Sequence, residues 1–94
     1  MAIRTLYSPE PEYPAEALAA RIAGRVVLRV TIDREGHVAR AAIHRSSGVS
    51  SLDDAALAAV RRWQFEPVRR AGIAVATEVA IPIRFRIDLS APGS

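Results

Sequence analysis

The sequence predicts an α+β fold in which an antiparallel three-stranded sheet is covered on one face by two helices. Two observations support this fold class. Three segments alternate apolar and polar residues with the period of two that is typical of half-buried strands, and two others place apolar residues at helical spacing. Along the chain the elements follow the order α-β-β-α-β, and the last strand is expected at a free edge of the sheet.

The composition of the 94-residue chain limits the size of its core and the kinds of site it can form. Half of them are hydrophobic, which permits one core, although a chain this short buries only about 60–65% of its unfolded surface. The 13 basic residues are all arginine, and there is no cysteine for a disulfide or a thiolate metal site. We expect a folded domain over 9–88, an N-terminal margin or spacer remnant over 1–8, and a tail over 89–94.

The first element is an extended stretch followed by a helix. We call residues 8–14, "SPEPEYP", the entry segment, because its prolines disfavour regular structure. Pro14 suits the first position of a helix, where its missing N–H costs nothing. The helix is expected to carry Leu18 and Ile22 on one face and to end at Gly24.

The first long strand begins near Arg25 and is followed by the turn "DREG". Loop length fixes which residues of the next strand lie opposite. A four-residue loop over 33–36 places Val30 opposite Ala39, whereas a three-residue loop places it opposite Arg40. We therefore predict the longer loop. The apolar face of this strand consists of Val26, Leu28, Val30 and Ile32.

A second helix is predicted after the loop "SSGVSS". Ser50 or Ser51 is expected to cap it, with Asp53 in the first turn, where the helix dipole favours anions. The helix ends before Pro67, since the residue preceding a proline avoids helical geometry. Its expected buried stripe is Leu52, Ala56, Val60 and Trp63.

The last strand, "VAIPIRFRI", has a proline at its centre. Pro82 cannot donate a ladder hydrogen bond, which argues for an edge strand. Because backbone groups alternate between the two edges of a strand, we expect Ala80, Pro82, Arg84 and Arg86 to direct theirs outward. The alternate residues Val79, Ile81, Ile83, Phe85 and Ile87 then bond inward to the first strand. The preceding stretch, 68–77, leaves room for a hairpin.

These faces predict a single core between the helices and the sheet. Leu28, Val30, Trp63 and Phe65 are its expected structural residues. The other expected members are Leu18, Ile22, Val26, Ile32, Ile43, Leu52, Val60, Ile81, Ile83 and Phe85.

The sequence offers little support for a catalytic site or a cofactor-binding site. His37 and His44 have no third metal ligand in evidence, and Ser46 and Ser47 lie in no nucleophile motif. No glycine-rich phosphate loop is present, so we predict no catalytic residues, cofactor or metal. The open sheet face is basic but lacks stacking aromatics, which argues against nucleic-acid binding. Its expected residues are Arg29, Thr31, Arg40, His44, Arg84 and Arg86.

A combination of motifs nevertheless resembles a known family. They are "YPAEA" at 13–17, "GRVVLRVTIDREGHV" at 24–38, "SSG" at 46–48, "LDDAALAAVRRWQFEP" at 52–67 and "VAIPIRFRI" at 79–87. Together they resemble the C-terminal domain of TonB, the periplasmic energy transducer of Gram-negative bacteria, over nearly the whole chain.

This resemblance implies a binding role in transport. Members of the family are anchored in the inner membrane and cross the periplasm through a spacer. They couple a proton-driven motor complex to outer-membrane transporters of siderophores, haem or cobalamin. The anchor and the spacer are absent from this sequence. The C-terminal domain grips the TonB box of the transporter by β-strand addition to its last strand.

Carried over to this chain, the resemblance assigns the partner site to two segments. One is the last strand, and the other is the Y-P motif with the acidic residues before it. The expected partner-binding residues are Glu10, Glu12, Tyr13, Pro14, Val79, Ala80, Ile81, Pro82, Ile83, Arg84, Phe85 and Arg86. The alternative is a self-associating structural module in which the same edge pairs two copies into a homodimer.

Overall fold

The computed structural model describes residues 3–87 and confirms an α+β protein with two helices and antiparallel sheets. Each element is numbered in chain order. The elements are β1 (Thr5–Tyr7), α1 (Ala15–Ala19), β2 (Gly24–Ile32), β3 (Val38–Arg45), α2 (Ser50–Val60), β4 (Gln64–Phe65), β5 (Val68–Arg70), β6 (Ile73–Val75) and β7 (Thr77–Phe85). The expected tail over 89–94, and Asp88, lie outside the described residues.

The main sheet has the strand order β3-β2-β7, with β2 in the centre. β2 and β7 pair over nine residues in one uninterrupted register, from Gly24 opposite Phe85 to Ile32 opposite Thr77. Pro82 lies opposite Val27. Within the described residues β2 is the one strand paired with β7, so the other edge of β7 is free.

The predicted register between β2 and β3 is wrong. Val30 lies opposite Ala41, and Ile32 lies opposite Val38, because the turn covers residues 33–37 and a β-bulge follows Thr31. The Asp33 carboxylate accounts for the longer turn, since its Oδ1 accepts the N–H groups of Glu35 and His37, both at 2.9 Å. Apolar residues still face apolar residues, which is why sequence alone did not expose the shift.

Helix α1 is shorter than predicted. It ends at Ala19, and Arg21 adopts a left-handed conformation with φ of 57°. The N–H of Ile22 bonds to the Ala17 carbonyl at 2.8 Å and that of Arg21 to the Leu18 carbonyl at 3.1 Å, which together form a Schellman motif. Ala17 is the residue of α1 that is buried, whereas Leu18 and Ile22 do not join the core and are 49% and 37% exposed.

Helix α2 starts as predicted but is not capped as predicted. Its N-cap is Val49, and no side chain caps it. The serines of the preceding loop act differently, because the hydroxyls of Ser46 and Ser47 and the Ser47 N–H all donate to the Asp53 carboxylate. Asp53 therefore anchors the loop to the first turn of the helix, and the predicted capping role of Ser50 or Ser51 is wrong.

Two small sheets complete the fold. β1, from the segment expected as a margin, pairs with β4, and β5 pairs with β6 across the turn at Ala71 and Gly72. The β2–β3 turn also contacts β4, where the N–H of Phe65 donates to the Gly36 carbonyl at 2.8 Å. Gly36 has φ of 89°, and a Cβ there would lie 1.9 Å from the Phe65 carbonyl oxygen. Only glycine fits this contact.

The core lies between α2 and the inner face of the sheet, with Ala17 added from α1. Trp63, Ile43 and Ile81 are half-buried and pack against it. The buried residues of this cluster are Ala17, Val26, Leu28, Val30, Ile32, Leu52, Ala56, Val60, Phe65, Ile83 and Phe85.

Candidate partner-binding edge

The free edge of β7 lies beside the entry segment. Along β7, side chains alternate between the core side, from Val79 to Phe85, and the exposed outer face at Ala80, Pro82 and Arg84. The pattern arises because residues two apart in a strand share a face. One side of the strand is thus fixed by β2 and the core, while the backbone along its other side has no strand partner among residues 3–87.

Two aromatic residues hold the entry segment in place. The Trp63 indole Nε1 donates to the Pro9 carbonyl oxygen at 2.9 Å. The Tyr13 ring meets the Phe85 ring edge to face, with centroids 5.4 Å apart, and its hydroxyl donates to the Ile22 carbonyl. Such contacts at both ends of the segment keep it close to β7 without pairing it to that strand.

A groove lies between β7 and the N-terminal residues of the chain, which include the entry segment. It consists of two cavities that share Trp63 and Pro82 in their linings. The larger, of about 490 Å³, lies between the entry segment and the stretch from Pro82 to Arg86. The smaller, of about 200 Å³, lies between Ile3 and Thr5 on one side and the stretch from Val79 to Pro82 on the other. The groove therefore follows the edge strand for most of its length.

The structure brings together most of the predicted partner-binding residues. Glu10 and Tyr13 line the larger cavity together with the second half of β7. Glu12 and Pro14 do not. They line a separate cavity of about 350 Å³ against α2, on the side of the entry segment that Ala55 and Ala59 face.

Sequence reasoning missed one wall of the groove. Trp63 was assigned to the core alone, yet it lines both cavities, while Ile3 and Thr5 come from a segment read as a margin. The sequence contained a partial signal for this role. An indole N–H needs a hydrogen-bond acceptor, so a tryptophan side chain is seldom fully enclosed in an apolar core. Nothing in the sequence showed that the acceptor would be Pro9.

The outer face of the sheet is strongly basic at one end. Arg84 lies directly opposite Arg25, and Arg86 follows two residues later. These three arginines border a cavity of about 490 Å³ whose other lining residues are Ala23, Gly24, Phe85 and Ile87. At the other end of β7, Glu78 pairs with Arg29 at 3.8 Å. Charge thus changes sign along the edge strand.

The β2–β3 turn brings together three potential metal ligands, Asp33, Glu35 and His37. Their arrangement follows from the hydrogen bonds that close the turn. The N–H of His37 is the largest influence on the Asp33 carboxyl and lowers its pKa, helped by the N–H of Glu35 and the nearby His37 ring, against a smaller effect of burial. The geometry is that of a turn and does not require a metal.

No helix in the described part of the chain has the length and apolar character needed to cross a membrane.

A free edge strand beside an aromatic-lined groove is typical of small modules that bind extended segments. Comparison with known proteins then identifies the family. The family model for the Gram-negative bacterial TonB protein C-terminal region matches residues 9–87. This chain belongs to the TonB C-terminal domain family, as its sequence motifs indicated.

Individual relatives agree with this membership. The tonB2 protein of Pseudomonas aeruginosa is 40% identical over 83 residues, which cover 88% of this chain and 31% of that protein. The TonB protein of Vibrio cholerae is 35% identical over 79 residues, covering 84% of this chain and 32% of that protein. The chain spans about a third of the length of these two relatives.

A solved structure shows the same fold. The solution NMR structure of the Pseudomonas aeruginosa TonB CTD superposes with a TM-score of 0.77 at 30% identity. The match covers 92% of this chain and 87% of that chain.

Proposed function

We propose that this chain is the receptor-binding domain of a TonB-type energy transducer. In this role it binds the TonB box of outer-membrane transporters by adding that extended segment as a strand to β7. The observation that carries the proposal is the free nine-residue edge of β7, which borders a groove for most of its length. Membership of the TonB C-terminal domain family supports it.

Energetics favour a reversible complex. An added strand forms about four or five backbone hydrogen bonds, each contributing about 0.5–1.5 kcal/mol net. Association itself costs about 4–15 kcal/mol, so side-chain contacts in the groove must supply the remainder and the affinity is modest. A transport cycle needs a partner that is released as well as bound. Backbone pairing also allows one domain to accept segments of different sequence.

Pro82 restricts how the edge is used. If Ala80, Pro82, Arg84 and Arg86 direct their backbone groups outward, the free edge lacks one donor at its centre. The added strand then relies on the N–H groups of Ala80, Arg84 and Arg86 and on the carbonyls of all four residues. A gap in the donor row discourages indiscriminate strand pairing.

The remainder of the proposed role belongs to the whole protein. We infer that a full-length form is anchored in the inner membrane of a Gram-negative bacterium and reaches this domain through a periplasmic spacer. A proton-driven motor complex would act through that anchor, and the transporter would take up siderophores, haem or cobalamin. None of these steps requires catalysis or a cofactor in this domain.

A peptide titration tests the proposal. A TonB-box peptide added to the ¹⁵N-labelled chain should shift the amide signals of β7 and Trp63, while a scrambled peptide should not. Replacing the Arg84 amide by an ester through semisynthesis removes one outward donor and keeps the side chain. Peptide binding should weaken by about 1 kcal/mol with little change in folding stability.

Two results would contradict the proposal. If the peptide shifts no β7 signals, the edge is not the binding site. If an ester at Ile83, and not at Arg84, weakens binding while stability is unchanged, the orientation of β7 is reversed. Sedimentation equilibrium addresses the alternative role, because a dimer that persists on dilution would favour a self-associating structural module.

A further inference from the structure

We propose that the outer face of the main sheet is a docking surface for an anionic phospholipid bilayer. The outer face consists of the side chains of β2, β3 and β7 that point away from α2 and the core. It differs from the groove along the free edge of β7 both in position and in the partner it fits. The inference therefore does not rest on the proposed function.

Strand pairing gathers arginines from all three strands on the outer face. Along β2, the residues that alternate with the buried ones point outward, and the residues directly opposite them on β3 and β7 share that face. All the arginines of the face are exposed. They are Arg25 and Arg29 of β2, Arg40 and Arg45 of β3, Arg84 of β7 and Arg86 just after it.

Acidic residues do not balance these arginines. Glu78 is the one acid of the three strands, and it pairs with Arg29 at 3.8 Å. Elsewhere in residues 3–87 acidic residues slightly outnumber arginines, so the positive charge is concentrated on the outer face. Like charges directly opposite each other destabilise a sheet, as at Arg25 and Arg84, and an anion bound over them offsets that repulsion.

The arginines are close enough to act as one patch. Neighbouring strands are about 5 Å apart and each residue advances about 3.3 Å along a strand, so the backbone of each arginine lies within about 8 Å of another. This separation is about one screening length at physiological ionic strength, so the potentials of the arginines add. An anionic bilayer attracts arginines near its surface, and a guanidinium group binds phosphate through two parallel hydrogen bonds.

The side chains between the arginines argue against a nucleic acid as the partner. Single-stranded nucleic acids stack their bases on aromatic rings, and the outer face carries no phenylalanine, tyrosine or tryptophan. Its one imidazole, His44, contacts Arg29 at 3.4 Å. The remaining outward residues are small or short, and they are Val27, Thr31, Ala42, Ala80 and Pro82.

A protein partner is also disfavoured on the outer face. Protein interfaces depend on a few large apolar or aromatic anchors that become buried. The large exposed hydrophobic residues of 3–87 all lie outside β2, β3 and β7. They are Leu6, Tyr7, Leu18, Ile22 and Ile73. A flat layer of anionic headgroups requires no such anchor, so the bilayer is the partner that the face fits best.

Docking by the outer face leaves the edge of β7 available. That edge lies in the plane of the sheet, so it would run parallel to the bilayer while α2 faces away from it. Arg84 and Arg86 line the groove as well as the outer face. Arg40 and Arg45 belong to the outer face alone, because β3 is the opposite edge strand.

Co-sedimentation with vesicles at low ionic strength tests the inference. Wild type should bind vesicles of equal parts phosphatidylglycerol and phosphatidylcholine and should not bind pure phosphatidylcholine. Arg40→Gln/Arg45→Gln should bind the anionic vesicles about 5- to 30-fold more weakly. Arg61→Gln/Arg62→Gln is the matched control, since it removes the same charge from exposed residues at the end of α2. It should bind within about 2-fold of wild type.

Two further measurements address the electrostatic origin of binding. Arg25→Gln, on the central strand, is an independent variant and should bind about 2- to 5-fold more weakly. Binding of wild type should be lost in 0.5 M NaCl, where the screening length is only about 4 Å.

Methyl signals report the orientation of the bound chain. Bicelles of the same anionic composition, doped with a spin-labelled lipid, broaden the signals of groups that approach the bilayer. We expect broadening at the exposed methyl groups of Ala42 and Ala80 on the outer face. The exposed methyl group of Ala58 on α2 should stay sharp.

The possible failures can be told apart. Equal binding to neutral vesicles, or an equal loss of binding in Arg61→Gln/Arg62→Gln and Arg40→Gln/Arg45→Gln, would show that the outer face is not responsible. Broadening at Ala58 in place of Ala42 and Ala80 would also overturn the inference. Tighter binding to polyglutamate or single-stranded DNA at equal charge concentration would assign the face to another polyanion. None of these results bears on the peptide titration of β7, so the proposed function stands or fails separately.

Discussion

The indole N–H of Trp63 and the carbonyl oxygen of Pro9 are 2.9 Å apart, although 54 residues separate them in the chain. This bond connects the end of α2 to the entry segment and fixes one wall of the groove. Trp63→Phe removes the donor and keeps an aromatic ring. We expect a loss of about 0.5–1.5 kcal/mol in the free energy of unfolding, with lower ¹⁵N order parameters at Glu10 and Glu12 because the entry segment moves more freely.

Urea denaturation and ¹⁵N relaxation measure the two effects of Trp63→Phe. Tyr7→Phe is the control, since Tyr7 is 48% exposed on β1 and its substitution should change neither quantity. Wild-type order parameters at Glu10 and Glu12 in Trp63→Phe would show that the indole does not anchor the entry segment.

Gly36→Ala should be strongly destabilising. The added Cβ would lie 1.9 Å from the Phe65 carbonyl oxygen, in a backbone with φ of 89°. We expect a loss of about 2–4 kcal/mol, since displacing β4 adds to the strain of a left-handed alanine. Gly72→Ala is the matched control, because Gly72 has φ of 82° and open space around it. It should cost about 1 kcal/mol. Equal losses in urea denaturation would contradict the predicted steric contact.

Arg21→Gly should stabilise the protein. Arg21 occupies the left-handed position of a Schellman motif, where glycine has no steric penalty. Relief of about 1–2 kcal/mol of left-handed strain exceeds the entropic cost of glycine, about 0.5–1 kcal/mol, so we expect a gain of about 0.5–1 kcal/mol in thermal or chemical denaturation. Ala20→Gly, one residue earlier in right-handed geometry, should instead lose about 0.5–1 kcal/mol. A loss in both variants would mean that the Arg21 side chain contributes more than its backbone conformation costs.

Asp53 makes stability depend on acid pH. Burial opposes ionisation of its carboxyl, but the Ser46 hydroxyl and the N–H and hydroxyl of Ser47 outweigh it and hold the pKa below its ordinary value. A lowered pKa means that the folded state favours the carboxylate. Its contribution is therefore complete above the unfolded-state pKa of about 3.9 and is lost as the pH falls through the folded-state value.

Asp53→Asn should lower the free energy of unfolding at pH 7 by about 1–2 kcal/mol, because partly solvated hydrogen bonds to a charged group are lost. The difference from wild type should disappear in denaturation at pH 2. Asp54→Asn is the control, as Asp54 is exposed in the same helical turn. A constant difference between pH 7 and pH 2 would exclude ionisation of Asp53 as the cause.

Sequence reasoning predicted the long strands well because the two faces of each strand differ strongly in hydrophobicity. In β2 every second residue from Val26 to Ile32 is fully buried, and β7 combines the same alternation with Pro82. These patterns fix which face is inside. They also place Arg84 and Arg86 outside, so the basic end of the edge was visible in the sequence.

The missed features depend on contacts between distant segments or on unusual backbone geometry. β1 consists of three exposed residues that pair only because Phe65 lies beside them. Arg21 occupies the left-handed position after α1, where glycine is the usual residue. The prediction used Gly24 as the end signal and therefore made the helix too long. Val49 is the N-cap of α2 and no side chain caps the helix, while the serines bonded to Asp53 are the earlier Ser46 and Ser47. Local propensity contains none of this information.

The strand order β3-β2-β7 also has a consequence for folding kinetics. β2 can pair with β3 through a short turn, but its second partner is β7, and Gly24 must find Phe85 across most of the chain. Contacts this distant in sequence are slow to form, and folding in milliseconds to seconds is typical of such topologies. Before β7 pairs with it, β2 is an edge strand with unpaired backbone groups. Its inner face is entirely apolar, so this intermediate is prone to aggregation. We therefore expect the strand proposed to receive the partner to join the sheet last, so that an incompletely folded molecule has no receiving edge.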